Sequence, residues 1–173
     1  MWVWIVIGAA ALLVGLLVLL RVLGSRLPEE HVASVTLRLK RPVREVWETI
    51  ADMAGHRNWA RGVTRVERLP DQENHEVWRQ HMGRNSFVLV TTVSQPPTHL
   101  VRTIADDHHM FSGDWEYELT QDGEGTHVKL TEHGRVFNPM ARAAMHYLFG
   151  EKTTMKGHLR ALASKFGEEA RLE

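Results

Sequence analysis

Cysteine is missing from all 173 residues, which excludes disulfides, thiolate metal centres and a cysteine nucleophile and leaves the redox compartment open. An excess of charge is missing too. The 21 lysines and arginines face 21 aspartates and glutamates, so no basic surface calls for nucleic acid or another polyanion. No Gly-rich phosphate loop, no HExxH pair and no Gly-x-Ser-x-Gly elbow occurs, and neither cofactor nor metal is expected. The length suits one domain of ordinary size with a short appendage.

The appendage is the N-terminal run. Trp2 to Leu20 carries no charged residue, and at about 1.5 Å per residue a helix of this length spans roughly 28 Å, close to a bilayer's hydrocarbon thickness. Trp2 and Trp4 sit at one end, where indoles favour the interface, and Arg21 and Arg26 mark the other. A cleaved signal peptide is the alternative. Against it, the apolar run is longer than a signal core, no basic residue precedes it, and Leu23-Gly24-Ser25 is a poor cleavage site. Residues 1–24 are therefore expected to form a single-pass anchor in the cell membrane, with the arginines keeping the rest of the chain on the cytoplasmic side. Residues 25–30, with Pro28 and no apolar period, read as a connector.

From His31 the pattern alternates, with Val35, Leu37 and Leu39 on one face of a strand. Pro42 then opens a helix whose apolar face is Val43, Val46, Trp47 and Ile50, closed by Asp52 and Gly55 and followed by a short turn through Trp59. Strand-like runs follow at Val63 to Leu69, His75 to Met82, Ser86 to Ser94, His99 to Ala105, Gly113 to Gln121 and Thr126 to Phe137. Pro70-Asp71, Gly83-Arg84, Pro96-Pro97 and the Asp122 to Gly125 run supply turns, predicting an antiparallel meander. After Pro139, a stripe of Met140, Ala144, Leu148, Met155, Leu159, Leu162 and Phe166 predicts a long C-terminal helix with one apolar face. The concave side of the sheet is the surface large enough to bury it, which makes the fold α+β.

This arrangement resembles the START-like (SRPBCC) superfamily, and within it the polyketide cyclase/dehydrase and lipid-transport proteins. The likeness covers nearly all of residues 31–167 and leaves 168–173 as a tail. It rests on Pro42-Val43-Arg44-Glu45-Val46-Trp47, the Trp59 turn, Gly113-Asp114-Trp115-Glu116-Tyr117, and Gly125-Thr126 leading to Thr131-Glu132-His133-Gly134. Asn138-Pro139, Phe149-Gly150 and Thr154-Met155 complete it. The resemblance implies a helix-grip fold, a curved sheet wrapped around the C-terminal helix with a cavity between them; the anchor is an addition.

Strand parity sorts the residues that would face such a cavity. Trp115 and Tyr117 share the apolar face of their strand, Trp78 heads the Trp78, Gln80, Met82 face of another, and Phe87 belongs to a strand apolar on both faces. Each of these would equally serve as ordinary core. Glu132 is the anomaly, since it shares a face with Val128, Leu130 and Val136, where an unpaired carboxylate is costly. Arg102, on the Leu100 and Ile104 face, would make it a structural or ligand-orienting ion pair; without a partner it would be an acid–base candidate. Met53, Trp59 and Met140 fall near helix ends, where they would rim a mouth, and Met110 and Phe111 would reach the same rim. Asp106-Asp107-His108-His109 offers metal-ligand types, but neighbours on an extended chain point apart, and a solvated loop is expected.

The ligand-contacting set expected from sequence is thus Trp59, Trp78, Phe87, Arg102, Trp115, Tyr117, Glu132 and Met140. The function it favours is a membrane-anchored binding or carrier domain for a hydrophobic, lipid-like or polyketide-like molecule. Two alternatives stay open: a cyclase or hydratase using Glu132 as acid or base, and a non-enzymatic assembly or stress partner with a filled interior.

Overall fold

The computed structural model describes residues 2–105 and 111–173, so the Asp106 to Met110 part of the expected rim lies outside the described residues. Helix α1 (Trp2–Ser25) leads into β1 (Glu30–Leu39), then α2 (Val43–Ala51) and a 3₁₀ turn (Ala54–Asn58). Strands β2 (Val63–Gln72), β3 (His75–Met82), β4 (Asn85–Gln95), β5 (His99–Ile104), β6 (Phe111–Asp122) and β7 (Gly125–Val136) follow as the expected meander. The chain ends with α3 (Pro139–Ala144), a π-helical turn (Met145–Phe149), α4 (Thr153–Lys165) and a short β8 (Arg171–Leu172).

All strands belong to one antiparallel sheet in the order β2-β3-β4-β5-β6-β7-β1-β8. The segment expected as a tail thus becomes an edge strand. Glu173 exchanges both backbone hydrogen bonds with Thr36, and Leu172 and Ala170 pack against the core. The first hairpin also differs from expectation. Pro70-Asp71 falls in an irregular stretch of β2, and the chain reverses at Glu73 and Asn74, whose φ values of 50° and 67° suit a tight hairpin turn.

Parity decides what is buried. Val35, Leu37, Leu39, Leu100, Leu119, Val128 and Leu130 are almost fully enclosed, and they meet Val46, Trp47 and Ile50 of α2 and Met155, Leu159 and Leu162 of α4. This packing grips α4 as the apolar stripe predicts, but only for its second half. The helix stops at Gly150, with φ of 79°, and Leu148, on the expected stripe, is 67% exposed. The lost register has a local cause: the chain leaves the helix at Gly150 and starts a new one at Thr153, so α3 and the π-helical turn at Met145–Phe149 form a separate piece that does not continue the α4 face.

Concave-face coverage is uneven. Beneath α2 and α4 the sheet is sealed, whereas Trp78, Gln80, Met82, Phe87 and Leu89 of β3 and β4 are all only half-buried. Helix α1 is long and apolar enough to cross a membrane, and none of its residues before Leu20 is buried.

Candidate functional site on the concave face

Arg102 occupies the centre of the concave face and is 5% exposed. A buried cation needs compensation, and α2 supplies it with its C-terminal carbonyls. Nη1 donates to Ile50 O at 2.9 Å and Nη2 to Ala51 O at 2.9 Å, so the guanidinium satisfies two end-of-helix acceptors and sits at the negative pole of the helix. His56, from the 3₁₀ turn, donates from Nε2 to the same Ile50 carbonyl at 3.0 Å. Burial, reinforced by the Arg102 charge, pulls the His56 imidazole down to about 4, so it is neutral at physiological pH.

The expected Arg102–Glu132 ion pair does not form, and register explains why. Trp115 stands directly opposite Arg102 on β5 and directly opposite Glu132 on β7, so an indole separates the charges by two strand spacings, roughly 10 Å. Glu132 is satisfied instead by Trp115 Nε1, which donates to Oε2 at 2.9 Å, and by His31 Nε2, 3.2 Å from Oε1. The His31 ring lies over Gly134, where a Cβ would collide with it. Glycine at that position makes room for the pair.

Between these two charged groups runs an aromatic cluster centred on His158 of α4. Its ring centroid is 5.0 Å from Trp59 and 5.0 Å from Trp115, and its Nε2 is hydrogen-bonded to Tyr117 Oη at 3.1 Å. Part of the His158 surface is open, but these rings enclose the imidazole itself; burial, then the His56 and Arg102 charges, pulls it down to about 3. Burial raises the Tyr117 phenol, which is likewise neutral.

Trp59, Arg102, Trp115, Tyr117 and Glu132 are thus brought together on or against the concave face. Trp78 and Phe87 lie on its looser side: Arg68 stacks over the Trp78 ring at 5.4 Å, and Phe87 meets Phe111 at 5.6 Å. Met140 is elsewhere, half-buried in the first turn of α3, the helix packed against α1. Met53 is fully buried core. Sequence reasoning missed His31, His56, Thr91 and His158. Two carried a signal: His31 shares the parity of Val35 and Leu37, and His158 sits three residues after Met155 and four before Leu162, on the stripe.

Three polar atoms of this face are buried without a hydrogen-bond partner among the described residues: Trp78 Nε1, Thr91 Oγ1 and Arg102 Nε. They are neighbours. Thr91 stands opposite Arg102 across the β4–β5 pair and diagonal to Trp78 across β3–β4, with all three on one face. Two open clefts mark the described surface. One of about 840 Å³ lies by the β6–β7 turn and Glu168, and one of about 490 Å³ lies between Trp59, Arg61 and α4. Neither is lined by Trp78, Phe87, Arg102, Trp115, Tyr117 or Glu132.

A curved antiparallel sheet closed on a C-terminal helix, with polar groups set inside an otherwise apolar face, defines the START-like class. The chain belongs to the polyketide cyclase/dehydrase and lipid transport family, whose sequence profile matches residues 30–167. Among solved structures, the chain is similar to the ZhuI aromatase/cyclase from Streptomyces sp. R1128, with a TM-score of 0.62 at 16% identity, over 79% of this chain and 93% of that one. A START superfamily protein from Mycobacterium smegmatis aligns with a TM-score of 0.59 at 16% identity, over 78% and 96%. A STAR-related lipid transfer protein from Xanthomonas axonopodis gives 0.53 at 17%, over 77% and 84%. No curated protein matches the chain. At these identities the likeness establishes the fold.

Proposed function

We propose that this protein is a membrane-anchored binding domain for a hydrophobic molecule that carries a hydrogen-bond acceptor or acid at one end. The observation that carries it is the group of unpartnered buried atoms at Trp78, Thr91 and Arg102, next to the loosely covered apolar side chains of β3 and β4. Leaving such groups unpaired costs about 1–3 kcal/mol each, so a face that keeps three of them is built to receive an acceptor. The apolar wall of Phe87, Leu89 and Met82 takes the rest of the molecule. Helix α1 spans the membrane and places the domain on the cytoplasmic side, where ligands dissolved in the bilayer are at hand.

Glu132 orients rather than reacts in this reading, because both its oxygens are held by N–H groups. Full-length protein purified in detergent is titrated with a fluorescent fatty acid and with its neutral methyl ester, and co-purifying molecules are identified by mass spectrometry. Arg102→Met is expected to weaken the acid by about tenfold or more, the worth of a hydrogen bond to a charged group, and to affect the ester less. Trp78→Phe, which keeps the bulk and removes the N–H, weakens both. Absence of binding by the wild type, or unchanged affinity in Arg102→Met, refutes the assignment.

A further inference from the structure

Beside the apolar N-terminal helix, the described residues include one compact group of exposed large apolar side chains: Tyr147, Leu148 and Phe149 are 54%, 67% and 68% exposed. They are the last three residues of the π-helical turn, which ends at Gly150 before α4 begins and so is not part of the core-facing stripe of α4. Their position is set by what precedes them. The α1 residues that are not exposed are Leu20, Leu23 and Gly24, and α3 is the element packed against this helix. Gly24 lies so close to Pro139 that a Cβ there would collide with its backbone. Arg142, 8% exposed, fastens the junction: Nε donates to Gly24 O at 3.0 Å, Nη1 donates to Val136 O at 2.8 Å, and the same Nη1 lies 3.3 Å from the Glu29 carboxylate. Leu20 is still inside the uncharged run, so α3 lies at the edge of the hydrocarbon, and the π-helical turn continues directly from α3.

We infer that Tyr147, Leu148 and Phe149 insert into the interfacial layer of the bilayer that α1 spans, giving the domain a second membrane contact. The inference rests on α1 being a membrane span. Lipid is the occupant that the junction selects, because the patch is continuous with the anchor and is fixed relative to it. Its composition agrees: aromatic rings with one leucine, followed by Glu151 and Lys152, and with exposed Arg21 and Arg26 at the end of the helix that α3 packs against, match the mixture of rings and charged side chains that settles at the headgroup boundary. The end of the sheet that meets α3 is where β7 finishes and β1 begins, the end that carries His31 and Glu132. The second contact therefore turns that end of the concave face toward the lipid.

The chain's lack of cysteine makes the test direct. Single variants Leu148→Cys, Leu13→Cys and, far from the patch, Thr92→Cys are labelled with an environment-sensitive fluorophore in the full-length protein. Each is reconstituted in phosphatidylcholine/phosphatidylglycerol vesicles with and without spin-labelled lipid. Emission at Leu148 and Leu13 is expected to shift to the blue and to lose most of its intensity to the spin-labelled lipid, while Thr92 stays open to aqueous iodide. Lipid quenching at Leu13 with iodide quenching at Leu148 overturns the second contact and leaves the anchor. Iodide quenching at both overturns the two together. Protection of Leu148 from both quenchers replaces lipid by protein and also overturns the inference.

Discussion

Acid should loosen this protein before its perturbed carboxylates titrate, and the residue responsible is His56. An exposed histidine titrates near 6.5; inside the fold, burial and Arg102 bring His56 down to about 4. Below pH 6.5 the unfolded chain takes up a proton that the folded protein refuses, so stability falls as pH falls, down to about pH 4. Between pH 7 and pH 5 the loss from His56 alone is about 2 kcal/mol, and about 3 kcal/mol by pH 4. His158 adds to it with the same sign, although the part of its surface open to solvent screens its share. For a domain of this size, about 2 kcal/mol corresponds to a fall in Tm of roughly 4–8 °C. The carboxylates of Glu29 and Glu116 are held below their ordinary value, mainly by hydrogen bonds from Arg135 and from His99, and lose their contribution only in more acid solution. The assay is thermal unfolding of the full-length protein in a non-ionic detergent at pH 7, 6 and 5. Tryptophan fluorescence is the readout, because Trp59 and Trp115 surround His158. His56→Gln keeps an N–H for Ile50 O and cannot titrate, so its Tm should fall by several degrees less over the same range. The carboxylate-paired histidines, such as His31 and His99, are common to both proteins and cancel in the comparison. An equal slope in wild type and His56→Gln refutes the reasoning, as does a wild-type Tm unchanged at pH 5.

Gly134→Ala should push the His31 ring off Glu132 and cost about 1–3 kcal/mol, with His31→Ala restoring part of the loss in the double mutant, as read by Tm. Glu132→Gln leaves an acceptor for Trp115 and keeps an oxygen within reach of His31, so fluorescent fatty acid affinity should change by less than about tenfold; a complete loss would give Glu132 a direct ligand role. Leu159→Ala should cost about 2–5 kcal/mol, checked by Tm, since the side chain is fully enclosed between α4 and the sheet. In a bacterial host, a periplasm-active reporter fused to the C-terminus should remain silent; activity there reverses the orientation and leaves the span.

The elements with strict periods were legible. Alternation in β6 put Tyr117 and Leu119 inside and Glu118 outside, and the Val46, Trp47, Ile50 spacing found the buried face of α2. Parity also flagged Glu132 as a polar group on an apolar face. It could not choose its partner, because choice depends on which strands become neighbours and on the indole that register places between Arg102 and Glu132. Arg102 was legible as buried, but its acceptors are backbone carbonyls of α2, which no side-chain pattern records. Leu148 failed for a different reason: a helical period holds only within one unbroken helix, and the chain breaks at Gly150 before α4 begins at Thr153. The three unpartnered atoms at Trp78, Thr91 and Arg102 arise from tertiary packing alone.

The Arg142 junction changes how far this domain can reach. A domain on a loose string of residues sweeps a hemisphere above its membrane and can touch a second one. Here the end of α1, the end of β7 and the residue before β1 are fastened to a single guanidinium, which restrains the domain against the helix instead of leaving it on a free linker. With α1 across a bilayer, as proposed, its encounters would be those of lateral diffusion, a search in two dimensions in which partners arrive within the same sheet of lipid. A function that required bridging to an opposing membrane would first have to undo Arg142.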